Sequence, residues 1–436
     1  MKAVLICAGS RGDAEPFCAL AHALHSHSST SPHLFIQHDL LHLAPPSATL
    51  HPLPFSQSDM LRIAAAPPHS NAAAHDNPRV RFVGIVAEVI GELVLPCWEE
   101  VLKAVRESDI VVCSALARPM GWAVAEKAGK KMAVVNLQPT MPTASFPHFS
   151  AATEAVRAIV ENGPGKEIFE EWYWELEKFQ FDFLADRLRS LLKKMEIPEM
   201  TFEDWKSHSK GENEKTLMVN AFSNEVVPLA KDAGSYTVNV GPLADRYIPE
   251  GWAPLGDLVA FIESGAEPPV CIGFGSMPFG GASVISEALK QCNLRAVLVG
   301  DALKDVNFER QHSVFHISSV PYTWLLPQCL MMFSHGGAGV VNASLAAGIP
   351  SLISPLMGDQ FFWAKLLEAK GYGVACGSSL TTLTKDEMTE AIESARSCIP
   401  ACKKLASSIQ DSLSGSVVLP RIFDDFLGKP SDFVAP

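Results

Sequence analysis

The sequence predicts an α/β protein made of two doubly wound parallel-sheet domains. Short apolar runs rich in β-branched residues alternate with stretches of helical periodicity, the pattern of βαβ units. The alternation occurs twice, before and after a turn-rich stretch around Pro242 to Gly256. A chain of 436 residues also exceeds what one ordinary core holds and suggests two domains of about 200 residues.

Taken in order, Ala3 to Ala8 reads as a first strand, Gly9-Ser10-Arg11-Gly12-Asp13 as a loop, and Ala14 to Leu24 as a helix. Pro45 to Pro78, rich in Pro, Ala, His and Ser, reads as a long irregular surface segment. Helix follows over Phe82 to Val105, a strand over Asp109 to Ser114, a helix over Gly121 to Ala128 and a strand over Met132 to Asn136. Glu167 to Lys194 is a long amphipathic helix with an aromatic stripe that includes Trp172, Tyr173 and Phe183, a pattern of core or of an apolar pocket wall. Leu217 to Asn220 is one more strand. This divides the chain into an N-terminal domain over 1–240, a linker over 241–256, a C-terminal domain over 257–414 and a final helix and tail over 415–436, whose docking the sequence leaves open. In the second domain, strands are expected at Val270 to Ser276, Arg295 to Val299, Val314 to Ile317, Cys329 to Phe333 and Ser351 to Pro355.

Nearly half of the residues are apolar and 19% are charged, so the chain is globular. A net charge of -13 argues against a general nucleic-acid surface, so an anion site has to be local. The ten cysteines are scattered, without the spacing of a zinc site, and read as reduced thiols. No stretch reaches the length of a membrane span, and the N-terminal apolar run is too short for a signal peptide. The expectation is a cytoplasmic protein, with peripheral membrane association left open, that is a monomer or weak dimer.

The most informative stretch is Ser334-His335-Gly336-Gly337-Ala338-Gly339-Val340. A strand, a glycine turn and a helix N-terminus make an anion site, because free N–H groups and the helix dipole point at the ligand. His335 can donate to a phosphate oxygen. Gly275-Ser276 and Asp359-Gln360 follow two other strands, and a carboxylate beside an amide suits sugar hydroxyls. Each has a plainer reading: a tight turn for the first motif and a helix N-cap for Asp359. Asp13 likewise reads as a helix cap or as a catalytic carboxylate. The chain has no Asp-x-Asp pair to hold a metal against a diphosphate.

Gly9 to Asp13 with Pro16, Pro139 to Thr143 with Phe146-Pro147, Gly273 to Ser276, Val320-Pro321 with Trp324-Leu325, His335 to Gly339 and Gly358 to Gln360 occur in an order that resembles the UDP-glycosyltransferase superfamily. The branch it most resembles holds the sterol 3-β-glucosyltransferases and the glycosyltransferases of antibiotic biosynthesis. The resemblance implies a GT-B fold, two Rossmann-like domains facing across a cleft, and inverting transfer without a metal or other cofactor. It implies that glucose moves from UDP-glucose to a hydroxyl of a sterol, a phenolic or polyketide, or a hydroxylated lipid. By position, Asp13 matches the catalytic base; Ser10, Arg11 and Gly12 match the loop that approaches the diphosphate. Gly275, Ser276, His335, Gly337, Ala338, Gly339 and Val340 match the diphosphate site. Val320 matches a main-chain contact to the base, and Asp359 and Gln360 the contacts to the sugar. Pro142, Phe146, His148 and Trp172 are candidates for the acceptor pocket.

Two departures stand out. Ser334 replaces the first of two histidines common in the family, and Val340-Val341 follows the last glycine where Thr or Ser is usual. The loss of that hydroxyl weakens donor binding by roughly 1.5–3 kcal/mol if its bond to phosphate is charge-assisted. A UDP-sugar epimerase and a catalytically degenerate nucleotide-sugar binder are the alternatives.

Overall fold

The computed structural model describes residues 1–65, 78–151, 159, 167–243, 248, 251–275, 281–303, 313–376, 383–411 and 415–428. They form two compact units: residues 1–149, 162–243 and 414–436 in one, and 150–161 and 244–413 in the other.

The first unit has strands β1 (Ala3–Ile6), β2 (His33–Gln37), β3 (Thr49–Leu53), β4 (Ile110–Ser114), β5 (Lys131–Asn136), β6 (Thr216–Asn220) and β7 (Thr237–Asn239). Its helices are α1 (Arg11–Ser28), α2 (Gln57–Ala65), α3 (Pro78–Val89), α4 (Trp98–Arg106), α5 (Arg118–Ala128), α6 (Glu167–Met195) and α7 (Phe202–Ser209). The sheet order is β3-β2-β1-β4-β5-β6-β7, with every neighbouring pair parallel. Val4, Ile6, Val111 and Val134 on one face meet Ile90, Val101, Val105, Val124 and Leu188 from the helices. Leu5 and Val112, which alternate with them, are equally buried on the other face.

The second unit has β8 (Val270–Gly273), β9 (Ala296–Val299), β10 (Val314–Ile317), β11 (Met331–Ser334), β12 (Ser351–Ile353) and β13 (Gly373–Ala375). Helices α8 (Gly256–Glu263), α9 (Ala282–Gln291), α10 (Tyr322–Leu325), α11 (Ala338–Ala347), α12 (Gln360–Lys370) and α13 (Lys385–Asp411) accompany them. Its order, β10-β9-β8-β11-β12-β13, is again parallel throughout. Val270, Ile272 and Phe333 pack towards α9 and α13, while Cys271 and Met332 pack with Leu258, Leu325 and Ile349 on the opposite face. Both faces are thus covered. No helix among the described residues is long and apolar enough to cross a membrane.

Helix α14 (Gly415–Leu427) follows α13 but belongs to the first unit. His27 on α1 meets Asp424 at 2.7 Å, and the Lys131 ammonium sits 4.6 Å from the centre of the Phe426 ring. The last helix is therefore docked.

Two expectations are corrected. Pro45 to Pro78 is not irregular throughout: it contains the edge strand β3 and helix α2, while residues 66–77 lie outside the described residues. Pro52 obscures the strand in the sequence, yet an edge position tolerates a missing N–H. The single helix expected over Phe82 to Val105 is four pieces. A π-helical turn over Ile90–Val94 and a 3-10 turn over Leu95–Cys97 separate α3 from α4. Pro96 in that turn has no N–H to continue an α-helical ladder.

Candidate active site

In an open parallel sheet, ligands bind beyond the carboxyl ends of the strands where the strand order reverses. In the second unit that switch point lies between β8 and β11. Gly275 follows one strand and His335 the other, so the sheet brings the two loops together. A methyl group on Gly275 would lie 3.9 Å from His335 Cε1, and one on Gly337 2.9 Å from its Nε2. The ring stands between the two glycine loops. Gly336 has φ 84° and its Cα faces the Ile353 side chain on β12, so both backbone and space demand glycine here. Ser334, the departure from the family pattern, is buried and accepts the Gly336 N–H at 3.1 Å, bracing the turn.

Gly337 caps α11, and the first N–H bonded back to it is that of Val341, at 3.0 Å. The N–H groups of Ala338, Gly339 and Val340 make up the helix's open first turn. They carry the positive end of its dipole. His335 Nδ1 is buried without a hydrogen-bond partner, and burial pushes the imidazole pKa down to about 4. A neutral ring whose Nε2 lies beside Gly337 at a helix N-terminus is suited to a hydrogen bond with an anion's oxygen.

Asp359 caps α12 and its Oδ2 accepts the Trp363 indole N–H at 3.0 Å. Gln360 is buried, and its Oε1 accepts the N–H groups of Leu356 and Met357 at 2.7 and 3.0 Å. The carbonyl of Gln360 thus orders the loop, so its amide nitrogen is the group left to offer a ligand. Val320 is buried between β10 and α10, beyond the same edge of the sheet. Ser276 lies outside the described residues.

The first unit switches order between β1 and β4, and the Gly9 to Asp13 loop leaves β1 at that point. Asp13 is the third residue of α1. Its Oδ2 accepts the Ser10 N–H at 2.6 Å and the Ser10 hydroxyl at 2.9 Å, an arrangement that fixes the helix start. The carboxylate lies against Gly9, where a side chain would strike its Cβ at 2.6 Å. Burial raises the Asp13 pKa above the ordinary carboxylate value, against the hydrogen bonds from Ser10 that lower it. Gly12 sits in the same first turn. Arg11 pairs at 2.7 Å with Glu15 one turn further along, a half-exposed contact that a stronger anion can displace.

Among the acceptor candidates, Pro142 and Phe146 are buried. The His148 ring packs against Phe149 and edge-on to Tyr173, at 4.1 and 5.2 Å between centres. The Trp172 side chain lies outside the described residues. Tyr173, beside it, is fully buried and belongs to the core.

Two residues near these loops went unread in the sequence. Gln37 ends β2, is fully buried and donates from Nε2 to the Gly9 carbonyl, while its Oε1 has no partner. Its place at the end of an apolar run was the available signal. Asp232 accepts from the Thr143 hydroxyl at 2.5 Å, the Ala144 N–H at 2.7 Å and the Ser145 hydroxyl at 3.2 Å. No local pattern announces a bond across so many residues.

Residues 308–412 match a family model described as the C-terminal domain of erythromycin biosynthesis protein CIII-like proteins. A sterol 3-beta-glucosyltransferase of Arabidopsis thaliana is 37% identical over 164 residues, 35% of this chain and 26% of that protein. A sterol 3-beta-glucosyltransferase of Komagataella phaffii is 25% identical over 97% of this chain and 34% of its own length. The chain therefore spans only about a quarter to a third of the length of these relatives. The calicheamicin glycosyltransferase CalG4 superposes with a TM-score of 0.67 at 15% identity, covering 98% of both chains. The spinosyn rhamnosyltransferase SpnG does so with 0.64 at 15% identity, over 97% of this chain and all of that one (100%). With its two parallel α/β units the chain has the GT-B fold of these glycosyltransferase structures, and in sequence it is similar to sterol 3-beta-glucosyltransferases.

Proposed function

We propose that the protein is an inverting, metal-independent glycosyltransferase that moves glucose from UDP-glucose to a hydroxyl of a lipophilic acceptor, giving a β-glucoside. The observation that carries this is His335, held neutral with an unpartnered buried nitrogen beside the open first turn of α11. That combination suits a diphosphate, which gathers charge as it leaves. Backbone N–H groups and the helix dipole supply the positive potential that a metal supplies elsewhere. The names of the sequence relatives, sterol 3-beta-glucosyltransferases, favour a transferase over an epimerase and a lipophilic alcohol as acceptor.

In this reading the acceptor oxygen attacks the anomeric carbon and its proton passes to the Asp13 carboxylate. The bond from that carbon to the diphosphate breaks, and its electrons leave with the phosphate oxygen. Asp13, raised by burial, is a stronger base than an ordinary carboxylate. His335 donates one hydrogen bond to the diphosphate, and the arriving negative charge raises its pKa.

The test incubates the protein with UDP-glucose and a mixture of sterol, phenolic and hydroxy-fatty-acid acceptors, with and without EDTA. Mass spectrometry is expected to find a hexose conjugate in both samples, and NMR a β linkage. UDP-glucose that binds but yields no conjugate with any acceptor sinks the transferase reading. A conjugate abolished by EDTA sinks only the metal independence.

A further inference from the structure

Gln37 ends β2, the strand beside β1, and its side chain is fully buried. Its Nε2 donates to the Gly9 carbonyl and lies 3.4 Å from Met60 Sδ on α2. On the other side of β1, Ser114 ends β4 and grips the residue before. Its Oγ accepts the Ala8 N–H at 3.1 Å and donates to the Ala8 carbonyl at 2.9 Å. The exit of β1 is thus pinned from both neighbouring strands.

The Gly9 carbonyl and the Ser10 N–H belong to one planar peptide group. That N–H is the donor which Asp13 Oδ2 accepts at 2.6 Å. A continuous chain therefore runs from the Gln37 amide through the Gly9–Ser10 peptide to the Asp13 carboxylate. A bond accepted at one end of a peptide polarises it and strengthens the bond donated at the other. The direction of the chain is fixed, because a backbone carbonyl can only accept and so holds the nitrogen of the Gln37 amide. Turned this way, the amide leaves its Oε1 buried without a partner among the described residues. Such an orphan is a cost to stability, so the amide does more than hold the fold together.

We propose that Gln37 is a positioning residue for Asp13: by holding the Gly9 carbonyl it fixes and polarises the peptide group whose N–H binds that carboxylate. That Asp13 acts as a base rests on the glycosyltransferase reading; the chain of bonds does not.

The sign of its effect follows. A hydrogen bond to a carboxylate favours the charged form, so weakening the Ser10 bond while burial persists makes Asp13 hold its proton more tightly. The titratable group that senses Asp13 from β1 is the Cys7 thiol, which burial pushes far above its usual range and keeps uncharged.

The test is a carbon-13 NMR titration of the full chain, labelled at its aspartate carboxyl carbons. The Asp13 resonance is identified by its absence from Asp13→Asn. Gln37→Met keeps the length of the side chain and removes both the donor and the orphaned oxygen. In it Asp13 should bind its proton about three-fold more tightly than in the wild type, the size expected when a charge-assisted bond loses part of its strength. The acid limb of kcat should move up with it, while the melting temperature stays within about 3 °C, because the orphan is lost together with the bond. An unchanged Asp13 titration overturns the proposal, whatever happens to the melting temperature. A downward shift overturns it as well, since that marks a loop that has merely opened to water. Gln37→Leu replaces the first variant if that one does not fold, and failure of both makes Gln37 a structural residue and overturns the proposal. The expected titration in a protein that transfers no sugar upholds the positioning and sinks the transferase reading alone.

Discussion

Asp13 holds the start of α1 and, in the proposed reaction, takes a proton, and one substitution separates the two roles. Asparagine at 13 keeps an oxygen that accepts both Ser10 bonds, and it removes a charge that burial penalises. We expect Asp13→Asn to fold with an unchanged or slightly higher melting temperature. Its kcat should fall by at least about 100-fold, the scale of lost general-base catalysis. Undiminished turnover would remove Asp13 from the chemistry. Because burial raises the Asp13 pKa, the acid limb of kcat in the wild type should lie above the ordinary carboxylate value of 3.8. Val340 allows the converse experiment. It is the third residue of α11, in the open first turn, and Val340→Thr adds one hydroxyl donor there. UDP should then bind about ten-fold more tightly, from a charge-assisted bond of roughly 1.5 kcal/mol, as read by calorimetry. Unchanged affinity would mean that the diphosphate does not reach this turn. The His-Gly motif is legible in the sequence because glycine spacing and helix caps are local. The neutrality of His335 and the fixed carbonyl of Gln360 are not, since packing and loop closure create them.

Among elements, interior strands such as β4, β5, β8 and β11 are plain in the sequence because both faces are buried, so each carries an apolar run of three or more residues. Strands β2 and β3 are not: histidines begin or interrupt them and Pro52 breaks the second, which only an edge position allows. The Pro139 to Phe149 loop shows the same limit. Its motif residues are readable, but the Asp232 that holds its turn lies far along the chain, before β7. Asp232→Ala removes three hydrogen bonds to residues 143–145. If that loop shapes the acceptor pocket, the acceptor KM should rise about five- to ten-fold while the KM for UDP-glucose stays within about two-fold, given the usual net worth of such bonds. Steady-state kinetics with each substrate varied in turn measures this. Equal rises in both constants would mark Asp232 as a general stabiliser of the unit.

At the scale of the whole molecule, the repetition of βαβ units declares two doubly wound sheets, but nothing local assigns α14 to the first unit. Contacts such as His27 with Asp424 do, and they exist only once the chain has folded. Each unit also carries a histidine that burial keeps neutral. His208 accepts the Trp122 indole N–H on Nε2 at 2.8 Å, so its proton sits on Nδ1, 2.5 Å from the Thr216 hydroxyl. Burial lowers its pKa to about 4, as it does for His335 in the second unit. In the unfolded chain both titrate near 6.5, so between pH 6.5 and 4 the unfolded state binds more protons than the folded one. Stability is then fully present above pH 6.5 and is lost as the pH falls to about 4, by up to roughly 3 kcal/mol for each histidine. Thermal unfolding at pH 7.5, 6 and 5 should show this decline. His208→Gln, which keeps an acceptor for Trp122 and a donor for Thr216, should lessen it. Saturating UDP should lessen the His335 share as well, because a diphosphate beside the ring makes its protonation less costly. A decline identical in wild type and His208→Gln would show that His208 already titrates normally in the folded protein.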